Sequence, residues 1–168
     1  MDHDQQVSFF EQLLDEQMGI VLKVARSFTF CDEDCSDLVQ EILIRLWKAI
    51  PTFRAEAKVS TWVYRVALNR ALTWNRDEAK RREGIVPLGA TTLATRADEP
   101  NQELIDQLYI EIRKLDEIDR SLILLSLDGC TYAEMSDLMG MAESNVGVRI
   151  NRAKKKLAKQ ITEHCHEL

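Results

Sequence analysis

Glycine and proline are scarce in this chain: its 168 residues include only 6 Gly and 3 Pro. With few alternating apolar–polar runs as well, the composition argues for an all-helical protein. No apolar run reaches the length of about 18 residues that a membrane-spanning helix needs, so no span is expected. The opening MDHDQQVSFFEQ is acidic and lacks a basic stretch followed by an apolar one. No secretory signal is expected, and the protein is expected to be cytoplasmic. Signatures of catalysis are also missing: there is no nucleophile–base dyad, no phosphate-cradling glycine loop and no HExxH. Neither an enzyme nor a cofactor is expected.

Cysteine is limited to Cys31, Cys35, Cys130 and Cys165. A cytoplasmic chain of this length does not need disulfides. Cys31 and Cys35, with His164, Cys165 and His166, have the side-chain types of a thiolate–imidazole metal site. Their spacing matches no strong zinc pattern, because no two-residue gap separates a pair of cysteines. Reduced thiols without a metal are expected.

Positive charge is in deficit overall, with 22 Lys and Arg against 28 Asp and Glu and a net charge of −6. That balance is unfavourable for a nucleic-acid binder, but its distribution is uneven. Residues 1–53 balance at −6, 54–82 at +5, 83–140 at −8 and 141–160 at +5. Two basic islands stand in an acidic chain. Net charge governs solubility, whereas local clusters govern contact with phosphates.

Enough apolar residues are present, 45%, for a real core. Val7, Phe10, Leu13, Leu14, Met18, Val21, Leu22 and Ala25 recur at helical spacing and predict a first amphipathic helix. CDEDCSD reads as a polar turn, with Ser36 or Asp37 as the cap of the next helix. Leu38, Val39, Ile42, Leu43, Leu46, Trp47 and Ile50 form that helix's apolar face, and it stops before Pro51. TFRAEAKV at 52–59 reads as a short loop with an exposed Phe53. A third helix opens at Ser60 or Thr61 and closes at Gly84. Residues 84–100, with two Pro and two Gly, have no helical period and read as a flexible linker. The chain therefore divides into 1–83, a linker at 84–100, and 101–168. In the last part, Leu104 to Leu115 and Asp119 to Leu127 predict two helices, and Gly129 ends the second.

Thr131 and Glu134 then have the spacing of a capping box at the start of a short helix. Ser136 is small where two helices must cross, Gly140 permits a tight turn, and Val146 suits a buried locking position. This is the pattern of a helix-turn-helix, whose second helix enters the major groove. The basic excess over 141–160 would be costly to bury in a plain helical hairpin. Gly147, Val148, Asn151 and Arg152 share one face and are expected to point into the groove. Arg149, Lys154, Lys155 and Lys156 are expected to meet phosphates.

In the first half, Trp62, Tyr64 and Trp74 stand among Arg65, Arg70, Arg76, Lys80, Arg81 and Arg82. Aromatic rings can stack on unpaired bases while cations hold the strand. Phe53 and Asn69 are suitable in type to stack on a flipped base and read its edge. The same aromatics at helical spacing also fit a hydrophobic core.

DLVQEILIRLWKAIPTF at 37–53 and STWVYRVALNRALTWNRDEAKRR at 60–82 resemble the second conserved region of extracytoplasmic-function sigma factors. LDEIDRSLILLSLDGCTYAEMSDLMGMAESNVGVRINRAKKKL at 115–157 resembles their fourth. The resemblance covers most of the chain, in order. It implies two small helical domains, the second with a helix-turn-helix. It also implies a function: binding core RNA polymerase, recognising promoter elements and promoting DNA melting. Asp37, Gln40, Glu41 and Arg45 match the surface that docks on the clamp helices of the polymerase beta-prime subunit. Phe53, the following loop and Asn69 match the site that captures a flipped base of the minus-ten element; Trp62 and Arg76, from the aromatic-basic helix, are further expected DNA contacts. The helix at 142–152 matches the reader of the minus-thirty-five element, and Gly147, Val148, Arg149, Asn151, Arg152 and Lys155 are the expected DNA contacts of this part. The beta flap and an anti-sigma factor are further implied partners. Leu43, Thr73, Ser144-Asn145 and Gly147 depart from the usual residues of the family, which bears on promoter sequence. A stand-alone helix-turn-helix regulator would account for 131–156 but leave 37–82 without a task.

Overall fold

The computed structural model describes residues 2–82 and 102–166, with side chains over 2–77 and 104–162. The described residues are helical or in short connections, and they form two compact units.

The first unit contains α1 (His3–Phe28), α2 (Asp32–Ala49), a 3-10 turn (Ile50–Thr52) and α3 (Val59–Arg82). Asp2 caps α1 through a capping box with Gln5, so the helix starts four residues before the first apolar position. Helix α2 also starts earlier than its sequence suggests, and neither Ser36 nor Asp37 caps it. Cys31 is the N-cap, and its sulfur accepts a hydrogen bond from the Asp34 amide at 3.5 Å. Asp32, Glu33 and Asp34 fill the first turn, where carboxylates favour the positive end of the helix dipole. The acidic run is therefore helix rather than turn.

Each helix of this unit packs against the other two. Val21, Val24 and Ala25 of α1, Leu38, Ile42 and Leu46 of α2, and Val63, Ala67 and Ala71 of α3 are completely buried. Tyr64 and Trp74 join them. Those two aromatics, considered above for base stacking, are thus core residues: one edge of α3 cannot serve both the core and a DNA strand.

The second unit contains α4 (Gln102–Arg113), α5 (Glu117–Leu127), α6 (Tyr132–Met139) and α7 (Glu143–His166). Ile112, Leu115, Ile123, Ala153 and Leu157 make a buried cluster, with Leu108 against it. Asp116 caps α5 by accepting from the amides of Ile118 and Asp119. Gly129 follows α5 at φ 75°, in the left-handed region, as expected of a glycine that ends a helix. The linker at 84–100 and Gly84 lie outside the described residues.

Candidate polymerase and nucleic-acid interfaces

On α2, burial of Leu38, Ile42 and Leu46 leaves Asp37, Gln40 and Arg45 exposed. Ile44, which carried no role in the sequence, is also 51% exposed on this helix. Glu41 is not a free surface carboxylate. It forms an ion pair with Arg70 of α3, whose side chain is only 7% exposed. The Arg70 guanidinium also lies 5.3 Å from the centre of the Trp74 ring.

The chain leaving α2 turns at Pro51 and runs through the loop 53–58 into α3. Phe53 is half-buried, not an isolated exposed ring. Its ring centre is 5.7 Å from that of Phe9 and 4.8 Å from that of Trp62. An aromatic at a helix exit finds neighbours here because α1 reaches back over the loop. Phe53 and Trp62 nevertheless line a pocket of about 190 Å³, together with Arg54, Glu56, Thr61 and Arg65. The loop beneath it contains Ala55 at φ 56°, a conformation unfavourable for a residue with a Cβ. Aromatic wall, polar edge and cations make a cavity suited to a flat, anionic-backboned group.

Asn69 is exposed and does not line this pocket. It stands one turn beyond Arg65 on the same face of α3, and Arg76 continues that exposed face. Arg54 belongs to the loop that the resemblance sets beside Phe53, and Arg65 is one of the cations expected to hold the strand; both line this pocket.

In the second unit, Thr131 and Glu134 form the expected capping box: the Glu134 amide donates to Thr131 Oγ1 at 3.2 Å, and the Thr131 amide to Glu134 Oε2 at 2.8 Å. Gly140 caps α6 at φ 65°. Ser136 Oγ donates to the Met141 carbonyl at 2.5 Å, closing the turn between α6 and α7. Val146 is completely buried, and Ile150 and Ala153 continue its line. The face opposite carries Ser144, Val148, Asn151 and Lys155, all exposed.

Two expected DNA contacts are placed differently. Gly147 faces α6, where a Cβ would lie 3.3 Å from the Tyr132 ring. Arg149 is held inward by Asp116, the cap of α5, and by Asp119 within it: NH2 is 2.7 Å from Asp116 Oδ1, and Nε is 2.7 Å from Asp119 Oδ1. Its side chain is 22% exposed, whereas that of Arg152 is 64% exposed with NH2 3.3 Å from Asp119 Oδ2. Burial would raise the Asp116 carboxyl. Hydrogen bonds from Asp119 and Ile118 and the charge of Arg149 outweigh that and hold it below its ordinary value.

Among the described residues, no group of three or more His, Cys, Asp or Glu side chains could hold a metal ion. The side chains of His164, Cys165 and His166 lie outside the described residues. No described helix is long and apolar enough to cross a membrane.

The chain matches the family model for Sigma-70 region 2 over residues 13–81 and that for Sigma-70, region 4 over 105–157. The chain belongs to the extracytoplasmic-function sigma factors. Sigma factors are non-enzymatic initiation factors that act with core RNA polymerase on promoter DNA. The sigma factor is 26% identical to RNA polymerase sigma factor YlaC of Bacillus subtilis over 141 residues, covering 80% of this chain and 82% of the relative. It is 28% identical to the ECF RNA polymerase sigma-E factor of Haemophilus influenzae, covering 76% and 75%. Its fold resembles that of sigma factor RpoE from Bartonella quintana, solved with the anti-sigma factor NepR. The TM-score is 0.73 at 18% identity, over 92% of this chain and 96% of that one. The match to region 2 gives 37–82 the task that a stand-alone regulator would leave unexplained.

Proposed function

We propose that the sigma factor divides its work between a first domain at 1–83 and a second at 101–168. In the first, Asp37, Gln40, Glu41 and Arg45 dock on the beta-prime clamp helices. Glu41 presents what Arg70 leaves of its carboxylate, on a side chain that remains 42% exposed. The pocket of Phe53 and Trp62 takes a base flipped out of the minus-ten element, and Asn69 and Arg76 carry the strand along α3. In the second, Val148, Asn151 and Arg152 face the minus-thirty-five duplex while Lys155 meets phosphate. Arg149 acts through the pairs that fix it to α5. Gly147 contributes room rather than contact.

The observation that carries this reading is the pocket itself: an aromatic wall flanked by Arg54 and Arg65, continuous with an exposed cationic face. A flipped base costs a few kcal/mol to unstack, and stacking against aromatics offsets that. We further propose a cytoplasmic location and control by an anti-sigma factor, because the RpoE relative was solved with one. The test is run-off transcription with core polymerase on a pool of genomic promoters. A distinct subset of transcripts is expected. Output no greater than that of core polymerase alone would sink the proposal.

A further inference from the structure

The outward face of α7 carries one large apolar side chain. Val148 is 67% exposed, opposite the buried line of Val146, Ile150 and Ala153. Its neighbours on that face, Ser144, Asn151, Arg152 and Lys155, are polar and exposed. Beside it, Gly147 leaves room for Tyr132: a Cβ there would be 3.3 Å from Cε2 and 3.7 Å from Cδ2 of the ring. Tyr132 is itself 43% exposed. Exposed apolar residues scattered singly need no explanation. Here the valine directly follows the glycine on which the Tyr132 ring packs, and it stands on a face that otherwise offers amide, hydroxyl and cation.

Valine is not favoured at this position by the helix, since its β-branch restricts χ1. Nor can it satisfy a donor or acceptor on a base edge, which would lose water without gaining a partner. The apolar group that the major groove does present is the C5 methyl of thymine. We propose that Val148 reads the methyl group of a thymine in the promoter duplex. The proposal rests on α7 being the duplex reader. Lys154, Lys155 and Lys156, all exposed on the following turn, supply the charge that holds the phosphates while the valine meets the base.

The test uses the full chain with core polymerase on a promoter duplex obtained by run-off selection. Each thymine of the upstream element is replaced in turn by deoxyuridine, which lacks only the methyl. At one position the replacement is expected to weaken wild-type binding about fourfold, the worth of one buried methylene. Val148→Ala should bind the thymine and uracil duplexes equally at that position. Because Val148 is exposed, the variant should keep its thermal unfolding midpoint. Equal wild-type affinity for thymine and uracil at every position overturns the proposal. So does a uracil loss in Val148→Ala equal to that of the wild type. A wild type that does not prefer the selected duplex over random DNA overturns the reading of α7 itself, and this inference with it.

Discussion

Arg149 Nε lies 2.7 Å from Asp119 Oδ1, tying α7 to α5. Asp119 is 5% exposed, and its other oxygen faces Arg152 at 3.3 Å. One buried carboxylate thus organises two arginines of α7. Removing it takes from Arg149 its inner carboxylate and leaves the pair with Asp116. Asp119→Ala is expected to destabilise the protein by about 1–3 kcal/mol. It should also steepen the salt dependence of duplex binding by about one phosphate contact, because Arg149 is released toward solvent. Urea denaturation and a salt titration check the two halves. Unchanged stability together with an unchanged salt slope would rule out the organising role.

Asp116 adds a pH dependence of known sign. Its folded-state carboxyl is held below the ordinary value, so the fold binds its proton less readily than the unfolded chain does. The stabilisation is fully present above the unfolded value of about 3.9 and is lost as pH falls through the folded one. Asp116→Asn keeps a good N-cap but loses the charge facing Arg149. The stability gap between wild type and variant should be constant from about pH 5 to 8 and narrow below about pH 4. A gap that stays constant through acid would contradict the assignment.

Cys31 caps α2 with a sulfur, a weak acceptor. Burial pushes its thiol above the ordinary value, so it stays protonated at neutral pH and reacts slowly. Cys31→Ser supplies a better acceptor for the Asp34 amide. It is expected to raise stability by about 0.5–1 kcal/mol, read from the thermal midpoint. A lower midpoint would mean that the sulfur's packing outweighs its capping.

The parts of the fold legible in the sequence are those written over short spacings. Thr131 and Glu134, Gly140 and the line of Val146 and Ile150 each follow from three- and four-residue geometry. The acidic run at 32–34 was misread because polar composition suggests a turn, while its charge suits a helix start. Arg149 and Phe53 were misplaced for another reason. Their partners, Asp119 and Phe9, are distant in sequence, and helical spacing does not bring them together. The pocket's polar edge had no signal beyond charge.

On the face of α2 proposed to dock on polymerase, Gln40 and Glu41 should separate. Gln40→Ala removes an exposed side chain and is expected to weaken core binding about fivefold, roughly 1 kcal/mol, without loss of stability. Glu41→Ala leaves Arg70 buried without its anion and should also lower stability by about 1–3 kcal/mol. Titration of core polymerase and thermal unfolding distinguish them. If Glu41→Ala unfolds at the wild-type temperature, the Arg70 pair contributes nothing to the fold. Unchanged core affinity in both variants would remove this face from docking.

Phe53 and Asn69 should act on single-stranded promoter DNA rather than on duplex. Phe53 walls the pocket with Trp62, and base–aromatic stacking is worth about 1–3 kcal/mol per base. Asn69 stands outside the pocket on the exposed side of α3, so its loss should be the smaller. Phe53→Ala also removes contacts with Phe9 and Trp62, so its stability must be measured alongside. In the double variant, permanganate reactivity of promoter thymines should fall about tenfold or more on a closed promoter, the equivalent of about 1.4 kcal/mol. A promoter with a pre-melted bubble should recover part of it, because the unpairing cost is already met. Phe53→Ala alone should fail more on closed than on bubble templates, which a general loss of folded protein would not produce. Normal melting by the double variant would place strand capture elsewhere and leave Phe53 as the packing partner of Phe9 and Trp62.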